Sequence, residues 1–126
     1  MPYPTDRKYT KEHEWITPDG TIGITHYAQE SLGDIVFVDV PKVGSEITAG
    51  KTFGTVESVK AVSDLFAPAS GTISEVNGAL ATSPENVNKD AHGSWMVKVK
   101  LKDPGELNGL LSAADYEKFV SEEAGH

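Results

Sequence analysis

The chain carries the stretch FGTVESVKAVSDLF at residues 53–66, two short apolar runs on either side of one lysine. If the two runs pair as a hairpin, Lys60 is held at its tip. A lysine at an exposed tip adds little to a core, but it is accessible to an enzyme that modifies it. The stretch therefore predicts a hairpin with Lys60 as a candidate attachment point.

The sequence around this hairpin predicts a mainly β fold. The turn-forming residues 18–20, Pro-Asp-Gly, separate two strand-like runs at 13–17 and 21–24. Proline and glycine then divide residues 41–71 into further short strands, a spacing typical of sandwiches and barrels. Residues 35–40, IVFVDV, are apolar on both alternating faces except for one aspartate, which indicates a central and mostly buried strand.

Short helices are predicted at the margins of the β framework. Thr25 is suited to cap a helix over residues 26–32, and Gly33 is suited to end it in a left-handed conformation. Residues 83–87 predict a single helical turn that is capped by its first residue, a serine, with proline in the next position. Both helices are brief, so the framework remains β.

The C-terminal part predicts one more strand and two more helices. Residues 95–102 alternate apolar residues with lysines, so one face is core and the other is solvated. Asp103 and Ser112 each precede an acidic residue by three positions, which is a helix-start pattern. The second helix packs through an apolar stripe before residues 122–126 fray. The stripe consists of Tyr116, Phe119 and Val120.

The length of 126 residues fits a single domain, 1–126, with a core over about 9–123 and frayed termini. No apolar run approaches the length of a transmembrane helix. Residues 1–8 lack an apolar signal core and lack the Arg- and Ser-rich character of a transit peptide. The expectation is a cytoplasmic protein.

Charge and composition exclude several classes of partner and site. The net charge is -8 and Arg7 is the only arginine, so recognition of nucleic acid is not expected. The acidic surface either favours proteins with basic docking surfaces or serves solubility alone. The absence of cysteine removes disulfides, thiolate nucleophiles and most zinc or iron–sulfur sites.

No enzyme motif stands out in the sequence. The four histidines show no metal-ligand spacing, and there is no P-loop, no dinucleotide-binding glycine pattern and no serine nucleophile elbow. A lysine that forms a Schiff base needs burial, whereas Glu57 and Asp64 near Lys60 favour its charged form. An exposed Lys60 suits a covalently attached cofactor better, with the chemistry carried by the attached group.

Residues 54–61, GTVESVKA, resemble the lipoylation site of the glycine cleavage H-protein family. The resemblance spans roughly residues 9–123 and includes several other segments. These are residues 13–15, 23–25, 28–29, 32–38, 87–88, 93–96 and the acidic C-terminal helix. It implies a hybrid barrel-sandwich fold, the lipoyl and biotinyl carrier type, with lipoic acid in amide linkage on Lys60.

The resemblance also implies what the domain does. It would be a non-catalytic carrier of glycine catabolism that shuttles an aminomethyl group from a pyridoxal-phosphate glycine decarboxylase to a tetrahydrofolate-dependent aminomethyltransferase. It would pass electrons to a flavin dihydrolipoamide dehydrogenase that uses NAD. A lipoate-attaching enzyme is a further implied partner. A monomer is expected, because a carrier that visits several active sites needs its tip unobstructed.

The resemblance assigns roles to individual residues as well. It implies that four neighbours of Lys60 form the recognition motif for attachment, namely Glu57, Ser58, Val59 and Ala61. It implies that Glu14 and Asp64 shelter the loaded, cationic arm. Glu12 lies where relatives often have a hydroxyl residue, so a carboxylate would replace that contact. The alternative for all three acids is an ordinary surface position.

Three other functions compete with this one. A biotin carrier is disfavoured, because its lysine lies in Met-Lys-Met whereas Val59 and Ala61 flank Lys60. A swinging domain of a 2-oxo acid dehydrogenase typically has Asp-Lys-Ala and belongs to a longer chain. The third alternative is an unmodified interaction domain or lipoate-relay protein of the same fold. Only detection of the modification separates it from a carrier.

Overall fold

The computed structural model of the chain describes residues 3–124, so the predicted fraying of Gly125 and His126 lies outside it. Within this part the chain alternates strands and short helices. The elements, in chain order, are β1 (Lys8–Tyr9), β2 (Glu14–Ile16), β3 (Thr21–Ile24), α1 (His26–Leu32), β4 (Ile35–Asp39), β5 (Glu46–Ile47), β6 (Thr52–Ser58), β7 (Val62–Phe66), β8 (Gly71–Val76), α2 (Ala79–Thr82), α3 (Asn86–Lys89), β9 (Val97–Leu101), a 3-10 helix (Pro104–Gly109) and α4 (Ala113–Ala124).

The strands form two sheets. The larger sheet has the order β1-β2-β3-β9-β8-β5, and the smaller has the order β4-β6-β7. The neighbouring strands in both sheets are antiparallel. This confirms the mainly β, barrel-sandwich prediction, although the strands of residues 3–124 do not close into one continuous barrel.

The core consists of two connected clusters of buried side chains and a separate aromatic cluster beside α4. The larger sheet contributes a cluster that includes Ile22, Ile73 and Val97, each at most 1% exposed. The smaller sheet and the short helices contribute a second cluster around Val56. Phe53 packs against both clusters and joins them. Hydrophobic burial on the inner faces therefore fixes the smaller sheet, and with it the β6–β7 hairpin, on the larger one.

The predicted hairpins are confirmed. Strands β2 and β3 pair across the turn at residues 18–20, where Gly20 has a φ of 93°. Strands β6 and β7 pair from Thr52 opposite Phe66 to Glu57 opposite Val62. This register leaves only residues 58–61 to reverse the chain, so Lys60 lies in the turn as predicted.

The prediction that residues 35–40 form a central, mostly buried strand is wrong. Strand β4 lies at the edge of the smaller sheet, because β6 occupies the centre and pairs with β4 on one side and with β7 on the other. Its pairing slips between Ile35 and Phe37, and Phe37 is 52% exposed. In this chain, the run that is apolar on both faces forms an edge strand with exposed apolar side chains, and not a strand that is buried on both faces.

Two local details differ from the predictions. Gly33 ends α1 with a positive φ of 82°, but its ψ of -157° is extended rather than left-handed helical. This region is open almost only to glycine. Ser83 does not cap the following helix and instead ends α2, and the next helix, α3, begins at Asn86. The helix over residues 26–32 is confirmed, since the Thr25 hydroxyl accepts from the Ala28 amide.

The C-terminal helix is confirmed, but the predicted fraying at residues 122–124 is wrong, because the helix extends to Ala124. The Ser112 hydroxyl accepts a hydrogen bond from the Asp115 amide at 3.2 Å, as a helix cap does. Tyr116 from the predicted stripe is fully buried, and Tyr3 packs edge-on against it. The core therefore begins before residue 9, the predicted start. None of the helices within residues 3–124 is long and apolar enough to cross a membrane.

Candidate functional site

The attachment turn, residues 58–61, is held by the backbone and one hydroxyl. The Ser58 amide donates to the Ala61 carbonyl at 2.8 Å and closes the turn. The Ser58 hydroxyl oxygen accepts from the Lys60 amide at 3.3 Å and from the Ala61 amide at 3.1 Å. Ser58 itself is only 6% exposed. Its side chain therefore shapes the turn from inside, and the sequence-predicted recognition surface does not include it directly.

A second segment supports the turn from the side. The corner, as we call residues 33–35, joins α1 to β4. The Val59 amide donates to the Asp34 carbonyl at 3.0 Å, which ties the turn to the corner. The Lys60 side chain lies beside the corner as well, since its Cε is 3.6 Å from the position that a Cβ would take on Gly33. The aliphatic part of Lys60 therefore lies near a residue that has no side chain.

Lys60 is exposed, and its near neighbours are exposed as well. Val59 is 69% exposed and Val62 is 63% exposed. Within residues 3–124 the Lys60 ammonium forms no salt bridge. An apolar surrounding with a free amine suits acylation by an apolar acid, since the amide product loses the charge and gains an apolar arm.

The smaller sheet has one face that points away from the core, which we call the outer face. It carries two rows of side chains next to the turn. Directly opposite residues on neighbouring strands point to the same side of a sheet. The first row is Phe37, Glu57 and Val62. The second row is Asp39, Thr55 and Asp64. The outer face is therefore apolar at its flanks nearest Lys60 and acidic one row further away.

The sequence-predicted residues fall into different environments. Glu57, Val59, Ala61 and Asp64 are exposed near the turn, and Glu12 is exposed elsewhere on the surface. These positions fit either recognition or an ordinary surface. Glu14 is only 1% exposed, so its alternative as a surface acid is wrong.

Glu14 lies in a buried polar cluster. The Thr10 hydroxyl donates to one carboxylate oxygen at 2.6 Å, and the Phe66 amide donates to the other at 3.2 Å. Burial raises the pKa of Glu14 to about 7, although both hydrogen bonds act to lower it. Phe66 lies two residues beyond Asp64 on β7. The amide that binds Glu14 is therefore only two residues from Asp64 on β7, but Asp64 is exposed whereas Glu14 is buried.

Sequence reasoning missed the polar contacts behind Glu14. His13 has a φ of 73°, which is uncommon for a residue other than glycine. Its Nδ1 lies 2.7 Å from the Tyr116 hydroxyl, and its Nε2 lies 3.5 Å from Glu123. The Thr25 hydroxyl reaches the same Tyr116 hydroxyl at 2.8 Å. Burial is the main cause that lowers the pKa of His13. Helix α4 is thus anchored beside the backbone that presents Glu14.

Two sizeable grooves among the described residues lie away from Lys60. One groove of about 540 Å³ is lined partly by Ala67 and Pro68, which follow β7 at the end opposite the attachment turn. Another of about 490 Å³ lies between Trp15 and Trp95. No group of three histidine or acidic side chains within residues 3–124 is arranged to hold a metal ion. The candidate site is therefore a protrusion rather than a cavity.

Comparisons with known proteins find one family over nearly the whole chain. A family model described as Glycine cleavage H-protein matches residues 7–123. The chain is 71% identical to the glycine cleavage system H protein of Koribacter versatilis, with both chains covered in full. It is 60% identical to that of Acidobacterium capsulatum, again over both full lengths. A crystal structure of a glycine cleavage system H protein from Mycobacterium marinum matches with a TM-score of 0.85 at 42% identity, covering 97% of this chain and 99% of that one.

Proposed function

Because the chain belongs to the glycine cleavage H-protein family and is therefore a lipoyl carrier of the glycine cleavage system, we propose that Lys60 carries the lipoyl group in amide linkage. The observation that supports this most directly is the position of Lys60. It lies in a turn closed by the Ser58–Ala61 hydrogen bond, at the end of a hairpin anchored in the core.

The residues around Lys60 fit a lipoyl group. The amine is exposed for acylation, and Val59 and Val62 beside it are apolar and exposed. The aliphatic part of Lys60 lies near Gly33, which has no side chain. When bound, the group supplies a dithiolane that accepts the aminomethyl unit and is reduced. The protein supplies a rigid base from which the arm reaches each partner enzyme at high effective concentration.

We propose that the lipoate-attaching enzyme binds the outer face. This enzyme meets Lys60 before any cofactor is present, so the surroundings must distinguish it from the other lysines. Phe37 and Val62 offer apolar contact, while Glu57 and the row of Asp39 and Asp64 offer negative charge. The fitting partner surface is an apolar ledge with basic residues at its rim.

The two proposed arm-sheltering acids differ in availability. Asp64 is exposed on the outer face and is able to pair with a cationic arm without rearrangement. Glu14 would do so only if the hydrogen bonds from Thr10 and Phe66 were displaced. We therefore expect Asp64→Asn to hasten loss of ammonia from the loaded protein more than Glu14→Gln does. An equal effect of the two variants would contradict this order.

The remaining assignments complete the proposal. The chain acts as a single, non-catalytic domain over 1–126, is a cytoplasmic monomer, and uses the decarboxylase, the aminomethyltransferase and the dehydrogenase of the system as partners. We propose a monomer because a second copy that covered Phe37 and Val62 would obstruct Lys60. The other system components are implied by family membership.

Peptide mapping tests the attachment. The protein is produced in cells supplied with lipoate, and its intact mass and peptides are measured. We expect one lipoyl addition, located on Lys60 and not on Lys51, an exposed lysine just before the other end of β6. A biotinyl addition would favour a biotin carrier. A Lys60 peptide without lipoyl mass, in cells that lipoylate another carrier, would reject the proposal.

A further inference from the structure

We propose that Asn88 is a positioning residue for lipoylation, because it holds the corner against which the attachment turn rests. The inference rests on the proposed function, in that it concerns attachment at Lys60. Asn88 belongs to α3, far from the lysine in the sequence and outside the motif at residues 54–61. Its side chain nevertheless makes contact with the segment beside the turn.

The amide group of Asn88 makes three hydrogen bonds. Its oxygen accepts from the Ile35 amide at 2.8 Å. Its nitrogen donates to the Gly33 carbonyl at 2.9 Å and to the side-chain oxygen of Gln29 at 2.9 Å. Asn88 therefore grips the corner on both sides of Asp34, whose carbonyl accepts the hydrogen bond from Val59.

The side chain that supports Asn88 is itself fixed. Gln29 is buried in α1, and its amide nitrogen lies 3.0 Å from Nδ1 of His26. Helix α3 is anchored independently of Asn88, since Val87 is fully buried and the Ser94 hydroxyl donates to the Asn86 carbonyl at 2.9 Å. Asn88 is thus available to fix the corner rather than to hold its own helix.

Only an amide side chain satisfies all three partners. A carboxylate accepts but does not donate, so aspartate would keep the Ile35 contact and lose the other two. It would also set a negative charge against two carbonyl oxygens. The Ile35 side chain is buried and Gly33 holds an extended conformation with positive φ, so the corner has a defined shape that depends on these bonds.

The consequence for attachment follows from the coupling of corner and turn. Val59 bonds the corner directly, and Ile35 pairs with Ser58, the residue that shapes the turn. If the corner is loosened, the turn spends less time in the arrangement that the attaching enzyme binds. The apparent affinity of an enzyme for a substrate falls in proportion to the competent fraction. The weaker binding of the attaching enzyme should therefore raise KM for the protein and leave kcat unchanged.

The test uses the full chain in its unlipoylated form with a purified lipoate-attaching ligase, lipoate and ATP. Asn88→Ala and the near-isosteric Asn88→Asp should each raise KM for the protein at least tenfold, with kcat within twofold of the wild type. Asn77→Ala is the matched control, because the Asn77 side chain also bridges two segments. It donates to the Trp95 carbonyl at 2.8 Å and accepts from the Ala79 amide, and these hydrogen bonds involve neither the corner nor the turn. It should leave KM within twofold.

Two further measurements separate positioning from general damage. Solvent exchange of the Val59 amide, followed by NMR, should quicken at least tenfold in both Asn88 variants, while exchange of the Val56 amide in the centre of β6 stays within twofold. Acetylation of Lys60 by a small reagent should stay within twofold, since the amine remains exposed. Folding is verified by thermal unfolding well above the assay temperature, and Asn88→Asp replaces Asn88→Ala if the latter does not fold.

An unchanged KM in folded Asn88→Asp would overturn the inference, as would an equal rise in Asn77→Ala. If the wild type is not lipoylated on Lys60, the proposed function fails instead. The exchange of Val59 then still decides whether Asn88 positions the turn.

Discussion

The attachment turn and the aromatic cluster around Tyr116 are organised in contrasting ways. The turn is closed by backbone bonds and one hydroxyl, and its remaining side chains point to solvent. In the aromatic cluster, Tyr9 and Tyr116 stack with ring centroids 4.8 Å apart and Tyr3 meets Tyr116 edge-on at 5.0 Å. Aromatic burial of this kind makes a large contribution to stability. The cluster stabilises the fold while the turn remains open to partners.

The acidic side chains of the two regions also differ in their exposure to solvent. Glu57 and Asp64 near the turn are exposed to solvent. Glu14, near the aromatic cluster, is buried and hydrogen-bonded by Thr10 and Phe66. Substitutions near the turn should therefore change function at almost constant stability, whereas substitutions near Tyr116 should change stability first.

The largest functional effect is expected for Lys60→Arg. An arginine does not form the amide, so lipoylation and glycine-dependent reduction with the partner enzymes should be lost completely. The free energy of unfolding should stay within about 0.5 kcal/mol of the wild type, because the side chain is exposed. Intact mass, a coupled activity assay and urea unfolding measure the three quantities. Lys51→Arg is the control and should keep full activity. Activity in Lys60→Arg would contradict the assignment of function to the attachment turn.

The largest stability effect is expected for Tyr116→Ala. Removal of a fully buried aromatic ring should lower the free energy of unfolding by about 3–5 kcal/mol. Tyr116→Phe keeps the ring and leaves the hydroxyl of Thr25 and Nδ1 of His13 without their partner, so about 1–3 kcal/mol is expected. Urea unfolding measures both. A loss below about 1 kcal/mol for Tyr116→Ala would show that the cluster does not carry the stability.

An intermediate effect is expected for Glu14→Gln as pH varies. Burial raises the pKa of Glu14 from 4.5 to about 7 in the folded state, so its contribution to stability is complete below pH 4.5 and is lost as pH rises through 7. The wild type should lose roughly 3 kcal/mol relative to the variant between these limits. Urea unfolding at a series of pH values measures the difference. Parallel profiles of the two proteins would contradict it.

His13→Asn provides the matched comparison for this pH series. Asparagine tolerates the positive φ of residue 13. Burial lowers the pKa of His13, so the contribution of His13 is present above its ordinary pKa and is lost as pH falls. The His13 variant should therefore differ from the wild type in acid, whereas the Glu14 variant should differ toward neutral pH.

The smallest combined effect on function and stability is expected for Val62→Thr on the outer face. The side chain is 63% exposed, so the free energy of unfolding should change by no more than about 0.5 kcal/mol. Docking of the attaching enzyme should weaken, with a several-fold rise in KM, because apolar contact is lost near Lys60. Val43→Thr is the control, since Val43 is similarly exposed outside the outer face. Equal KM values for the two variants would argue against docking on the outer face.

Several local features were predictable from the sequence, although the Ser83 cap was not. The β6–β7 hairpin, the Thr25 cap and the Ser112 cap each depend on residues close together in the chain, and all three are found where predicted. Turn and cap preferences arise from backbone conformation and from hydrogen bonds to nearby amides. Lys60 belongs to this group, because the position of a residue in a hairpin turn follows from the two runs on either side of it.

Features that depend on distant partners were not predictable. The run at residues 35–40 is apolar, yet its exposure follows from the place of β4 at a sheet edge. The burial of Glu14 follows from packing against Thr10 and Phe66, and the role of Asn88 follows from the approach of α3 to the corner. The periodicity of a sequence shows how apolar and polar residues alternate along a segment, but it does not show which neighbouring element covers each face.

By itself, the sequence determined that a lysine stands in a hairpin turn of a mainly β, acidic chain, because turns and strands arise from local conformational preferences. Only the tertiary structure decided what surrounds that lysine. Sheet pairing placed Phe37 in one row with Glu57 and Val62, and the fold placed Gly33 near the aliphatic part of Lys60. Phe37 and Gly33 are distant from Lys60 in the chain, so the fold alone brings them to the attachment site.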